Sequence, residues 1–175
     1  PGVSLEHKAF HYAKNLNIPI QTDMDIYLKN SQSYNILVTG TNGKTTTASM
    51  LEHLLQGFIK DKSICAIGNI GKPVLDFLDQ KIDIAIIEIS SFQIEASSRL
   101  ESEIGILLNL EEDHLDRHKS FEIYKSLKRR VLEESNINIS KLENEIIGKK
   151  FYDYENYFHE SHFTNHKTLE KWPLH

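Results

Sequence analysis

The residues best suited to chemistry in this 175-residue chain are Thr39-Gly40-Thr41-Asn42-Gly43-Lys44-Thr45-Thr46. They follow the apolar run Ile36-Leu37-Val38 and precede an apolar-periodic segment, so they read as a turn between a strand and a helix. Such a turn aims backbone N–H groups and the positive end of the helix at an anion, and a nucleotide phosphate suits it. Lys44 would reach the terminal phosphates as a point charge, and the Thr45 hydroxyl would stand where Mg²⁺ needs an oxygen. The spacing is unusual: two residues separate Gly40 from Gly43, and Val38 stands where the general pattern G-x-x-x-x-G-K-[ST] has its first glycine. The segment is either a variant phosphate loop or a surface turn that caps a helix.

Two further clusters follow apolar runs. Ile84 to Ile87 leads into Glu88-Ile89-Ser90-Ser91-Phe92-Gln93, and Ile104 to Leu108 leads into Asn109-Leu110-Glu111-Glu112-Asp113-His114-Leu115-Asp116-Arg117-His118. A triphosphate with its metal needs amides and a lysine for phosphates and hard oxygen ligands for the ion. Glu88 alone reads equally well as a strand-end acid paired with a lysine. His114 and His118 on a helix would make a transition-metal pair, but the surrounding carboxylates favour Mg²⁺ or Mn²⁺, with no cysteine nearby.

In Ser120 to Glu134 the apolar stripe is Phe121, Tyr124, Val131 and Leu132, with Leu127 at its edge, and helical geometry puts Lys128 inside it. Lys125, Arg129 and Arg130 point away. A lysine on a buried face either snorkels or pairs with an acid, or else has a lowered pKa that leaves a neutral amine able to react with carbon dioxide. The resulting carbamate would be a metal ligand.

The elements that must position these groups alternate. The patterns predict a helix over 4–16, a strand over 35–38, and a helix whose Ala48, Leu51, Leu54, Leu55 and Phe58 face a sheet. A strand over 63–67, a loop over 68–73, a short helix over 74–78, and strands over 83–89 and 104–108 follow. Near-continuous apolar strands fit an α/β fold with a mostly parallel sheet covered by helices, where ligands bind beyond the carboxyl ends of the strands. The formal net charge of −5 provides no basic surface for nucleic acid. The apolar runs are far shorter than the roughly 20 residues of a membrane helix. The lone Cys65 excludes an intramolecular disulfide and reads as a small core residue, and a cytoplasmic protein is the expectation.

Taken together, four blocks resemble the Mur ligases, and among them the D-glutamate-adding type. They are Thr39 to Thr46; Gly68-Asn69-Ile70-Gly71-Lys72-Pro73; Glu88 to Gln93; and Asp113 to His118 with Ser120, Phe121, Tyr124 and Lys128. The first is shared with folylpolyglutamate synthases, whereas the Gly-Asn-Ile-Gly and Ser-Ser-Phe-Gln blocks resemble the D-glutamate-adding type.

The resemblance implies a P-loop NTPase-like central domain that binds ATP through Gly40, Thr41, Asn42, Gly43, Lys44, Thr45 and Thr46. It implies two Mg²⁺ ions, the first held by Thr45 and Glu88, the second by His114 and a carbamylated Lys128. Lys44, His114 and Lys128 would be catalytic, and Gly2, Asn69, Ser90, Gln93 and His114 would lie near UDP-N-acetylmuramoyl-L-alanine. D-Glutamate would be the second substrate, joined through an acyl phosphate, in a monomer without nucleic-acid or membrane partners. Residues 1–30 would be the end of an N-terminal UDP-binding domain and its linker, and 31–175 the central domain. The C-terminal D-glutamate-binding domain would be absent and the chain inactive alone. Two other readings remain: a different ligase of the superfamily, or a nucleotide-binding module without catalysis. No motif is recognised in 135–175, whose aromatic and histidine residues fit a peripheral part of the domain.

Overall fold

A computed structural model of the chain describes residues 7–140 and 151–152. Strands β1 (Tyr34–Thr39), β2 (Ile64–Gly68), β3 (Ile84–Glu88), β4 (Ser102–Leu107), β5 (Ser135–Ser140) and β6 (Phe151–Tyr152) form one sheet in the order β2-β3-β1-β4-β5-β6. Every pairing is parallel. The helices are α1 (Lys8–Asn15), α2 (Asp23–Asn30), α3 (Lys44–Phe58), α4 (Ser91–Ala96), α5 (Leu115–His118) and α6 (Phe121–Glu133), with a 3-10 turn at Val74–Phe77. The expected α/β architecture with a parallel sheet flanked by helices is present.

Alternation along the strands builds two cores. Leu37, Ile87, Ile94, Leu100 and Val131 pack on one face of the sheet with Met24 and Tyr27 of α2. Ile36, Val38, Ile64, Ala66, Ile86 and Ile106 pack on the other with Ala48 of α3. Burial on both faces explains why these strands read as continuous apolar runs. Gly105 lets α6 close onto β4, because a Cβ there would lie 2.2 Å from the Val131 carbonyl oxygen.

Two expectations are corrected, and one strand lies where no element is predicted. The α3 stripe packs through Ala48, with Leu51 and Leu55 partly buried, while Leu54 and Phe58 are exposed. The polar side chains of that helix do other work: Glu52 accepts from the Ala66 N–H and Gln56 donates to the Ile64 carbonyl, occupying backbone groups of edge strand β2. The stretch from Ser135 opens with β5, which its mixed Ser-Asn-Ile composition hid. Finally, Arg130 does not turn away: it donates to the Ile94 and Ser97 carbonyls at the end of α4, locking α6 to α4.

The start of α2 is buttoned to the loop after α4 by Asp25. Its carboxylate accepts from the Ser98 N–H, the Ser98 hydroxyl and the Thr22 N–H and hydroxyl. Burial works to raise its pKa, but the hydrogen bonds from Thr22 and Ser98 outweigh it and hold the value below 3.8. A depressed carboxylate contributes stability above its unfolded-state pKa and loses it as pH falls through the folded-state value. Asp25→Asn is therefore expected to cost about 2–3 kcal/mol at neutral pH. In urea unfolding the gap to wild type should narrow as the pH falls below 3.8, and a gap independent of pH would refute the assignment.

Candidate nucleotide and metal site

Thr39 ends β1 in register with Leu107 of β4, and Val38 pairs with Glu88 at the end of β3. The carboxyl ends of three neighbouring strands thus meet at one place, where the order of connections reverses around β1. The chain then turns through Gly40 to Gly43 into α3. Gly43 has φ +78°, a left-handed backbone that side chains resist, and α3 carries no side-chain cap on its first N–H groups.

Asn109 splints this turn: its Oδ1 accepts from the Asn42 N–H at 2.9 Å and its Nδ2 donates to the Asn42 carbonyl at 3.1 Å. The Thr41 N–H donates to the Asn109 carbonyl, and the Thr41 hydroxyl lies 3.1 Å from the Tyr124 hydroxyl of α6. Both Asn109 and Tyr124 were visible in sequence, but nothing in their spacing tied them to the loop.

The Lys44 ammonium donates to the Gly40 and Thr41 carbonyls at 2.9 and 2.8 Å. Thr45 Oγ1 donates to Glu88 Oε2 at 2.6 Å, and Asn69 Nδ2 donates to Glu88 Oε1 at 3.3 Å. Glu88 is 2% exposed while Thr45 is exposed, so a buried carboxylate meets a hydroxyl that opens to solvent at the start of α3. Among the described residues no three His, Cys, Asp or Glu side chains gather as an all-protein metal cage. Few protein ligands, hard oxygens and an adjacent phosphate loop are what Mg²⁺ takes, because it keeps waters and substrate phosphates as its other ligands.

Lys128 is buried and donates to the same Gly40 carbonyl at 2.8 Å and to Thr39 Oγ1 at 3.2 Å, with its ammonium 4.9 Å from the centre of the Tyr124 ring. Burial first, then repulsion from Lys44, pushes its pKa from 10.5 down to about 7, against an opposing pull from Asp113. The helical-face reading of Lys128 and the lowered-pKa alternative agree with this geometry.

The remaining candidates sit around this centre. Ser90 and Gln93 form a reciprocal capping box that starts α4, with the Ser90 N–H and hydroxyl both on Gln93 Oε1. His114 has φ +50° and packs its ring on Phe92 at 5.0 Å, and its Nε2 lies 3.4 Å from Asp113 Oδ2. No hydrogen bond joins it to Glu88 or Lys128 among the described residues. His118 does not pair with it on a metal: it is buried with Nε2 on the Ser91 hydroxyl at 3.0 Å. Thr46 is exposed in the first turn of α3, and Gly2 lies outside the described residues. A cavity of about 720 Å³ opens at the opposite ends of the strands, lined by Ser33, Asn35, Glu103 and Glu134. Of its acids, Glu103 accepts from the Asn35 N–H and Glu134 from the Leu100 N–H and Arg130.

Fold and site together define a parallel α/β domain with a phosphate-loop turn after its first core strand. A family model described as the Mur ligase middle domain matches residues 38–171, and the chain belongs to that family. It is 40% identical over 134 residues to the UDP-N-acetylmuramoylalanine--D-glutamate ligase of Rickettsia bellii, covering 76% of this chain and 29% of that protein. It is 38% identical over 154 residues to the ligase of the same name from Wolbachia pipientis, covering 86% and 30%. The chain thus spans less than a third of the length of these relatives. A MurF ligase structure from Thermotoga maritima, in complex with ADP, shares the fold at TM-score 0.52 and 22% identity, covering 77% of this chain and 32% of that one. No described helix is long and apolar enough to cross a membrane.

Proposed function

We propose that this chain is the ATP-binding central domain of a ligase that joins D-glutamate to UDP-N-acetylmuramoyl-L-alanine in peptidoglycan precursor synthesis. The observation that carries the reading is the convergence of Lys44 and buried Lys128 on the Gly40 carbonyl, with Thr45 at the end of the same turn bonded to Glu88. A plain nucleotide-binding module has no need of a buried lysine beside its phosphate loop. The names of the relatives support D-glutamate as the amino acid added.

In this reading the L-alanine carboxylate attacks the γ-phosphate of ATP, giving an acyl phosphate and ADP, and the amine of D-glutamate then displaces phosphate from the acyl carbon. Lys44 neutralises phosphate charge as the anionic carboxylate approaches, which positions the two reactants. Gly40 to Thr46 hold the triphosphate through backbone N–H groups. Thr45 and Glu88 hold one Mg²⁺, and His114 with the carbamate of Lys128 holds a second; when bound, these ions offset the charge of the reacting phosphoryl group. Neutral Lys128 adds to carbon dioxide, forming an N–C bond and releasing one proton to solvent, to make that carbamate. Asn69, Ser90, Gln93 and His114 line the approach of the muramoyl substrate, with Gly2 nearer its uridine diphosphate end.

Residues 1–30 belong to the end of a preceding UDP-binding domain and its linker, with α2 as the part packed on the central unit, 31–175. A separate C-terminal domain supplies the D-glutamate site. The protein works as a cytoplasmic monomer. Calorimetric titration of the purified chain with ATP should show saturable binding that requires Mg²⁺, with no dipeptide product when both substrates are added. Absence of nucleotide binding would overturn the proposal, and turnover by the chain alone would overturn the division of labour among domains.

A further inference from the structure

His118 takes no part in the chemistry above, yet it is 2% exposed and its Nδ1 is buried without a hydrogen-bond partner. Its position explains a different oddity. His114 is a non-glycine residue at φ +50°, a conformation that costs about 1–2 kcal/mol and persists only where its surroundings impose it. Its carbonyl accepts from the N–H groups of Arg117 and His118, each at 3.0 Å, so the short helix α5 closes directly on it. The α5 turn is in turn fastened to α4 at two points. Arg117 bonds Glu95 at 2.8 Å, and His118 Nε2 bonds the Ser91 hydroxyl at 3.0 Å. Between them the Phe92 ring carries His118 on one contact, 5.4 Å between centres, and His114 on another, 5.0 Å. The His118 ring also meets Tyr124, 5.5 Å between centres.

We infer that His118 is a positioning residue that holds His114 in its left-handed conformation through the Ser91 bond and the shared Phe92 ring, and so sets the imidazole where the second metal ion binds. Buried burdens are arranged to this end. The unpartnered Nδ1 has a desolvation cost that a phenylalanine would not have, so packing alone does not account for a histidine here. The Ser91 bond is what distinguishes the imidazole from an apolar ring, and it reaches the helix that carries Phe92.

This inference rests on His114 being a metal ligand, and the test separates the two. Mn²⁺ is titrated into the 175-residue chain with a non-hydrolysable ATP analogue, and paramagnetic broadening of the His114 ring signal is followed by NMR. The signal is identified by its loss in His114→Gln. His118→Phe keeps the ring and loses the bond, and Ser91→Ala removes the same bond from the other side with little change in packing. Each is expected to need about tenfold more Mn²⁺ for the same broadening, the usual scale for a residue that orients a metal ligand. The double variant should be no worse than His118→Phe alone, because both changes remove one interaction. Nucleotide affinity should stay within about twofold of wild type, since the loop is splinted separately by Asn109. Wild-type Mn²⁺ dependence in both variants would overturn the positioning role while leaving His114 as a ligand. Parallel loss of nucleotide binding and melting temperature in Ser91→Ala would assign His118 a scaffold role instead. Absence of broadening in the wild-type chain would remove His114 from the metal site, and this inference with it.

Discussion

Lys44→Met is expected to weaken binding of Mg-ATP to the chain by about a hundredfold, roughly 3 kcal/mol. The ammonium already sits on the Gly40 and Thr41 carbonyls, so it is held over the turn where phosphates would enter. Methionine keeps the unbranched stem and helix propensity at the first residue of α3, so the fold should be little affected. The Gly40 carbonyl retains Lys128 as a donor. What is lost is a charge-assisted bond to a multiply charged ligand in a partly buried site. Calorimetry with ATP and Mg²⁺ measures the effect, and a loss of threefold or less would show that Lys44 does not reach the phosphates.

Lys128→Met should make the protein more stable and less able to work. Lys128 is buried, and its pKa falls from 10.5 to about 7. At 1.36 kcal/mol per unit, burying the charged form costs the folded state at most about 4–5 kcal/mol. Removing the amine takes one donor from Thr39 Oγ1, which still donates to the Ile89 carbonyl, and one from the Gly40 carbonyl, which still accepts from Lys44, and this returns part of that gain. A net stabilisation of about 2–3 kcal/mol near pH 6 is expected.

The sign with pH follows from proton binding. Between about pH 7 and 10.5 the unfolded chain carries a proton on this lysine that the folded chain has released, so wild-type stability rises with pH across that window. The variant lacks the rise, and its advantage should shrink as the solution becomes alkaline. Urea unfolding in buffers free of carbon dioxide checks this, and identical slopes in the two proteins would contradict it. With ¹³C-bicarbonate, a carbamate signal should form on the wild-type chain and be missing from the variant. A residue retained at such a cost to stability is the usual mark of function.

Much of this architecture was legible in the residues. The continuous apolar runs ending at Val38, Ile87 and Leu108 could only be strands buried on both faces, and polar clusters at their ends had to gather at one edge of a parallel sheet. Lys128 fell on the buried face of α6 by helical period alone. The failures have local causes. Leu54 and Phe58 share the period of α3 but fall to the side of the face that packs, because Leu51, Leu55 and Ile59 are the residues that meet the core. The Ser-Asn-Ile composition of β5 gave no strand signal, because its polar Ser135, Asn138 and Ser140 are buried by neighbours distant in sequence, as Ser135 is by Ser102.

The sequence by itself determined the order of elements, the glycine turn with its lysine, and the polar and charged residues that follow the apolar strands. These depend on residue type and on periods of two or 3.6, which are local properties. Only the tertiary structure decided which of those groups touch. It put Lys44 and Lys128, 84 positions apart, on one carbonyl, paired Thr45 with Glu88, turned Ser90 and Gln93 into a helix cap, and gave His118 to Ser91 instead of to a metal. The pKa of Lys128 belongs to the same category. Burial and a second ammonium set it, and both arise from residues brought together across the sheet.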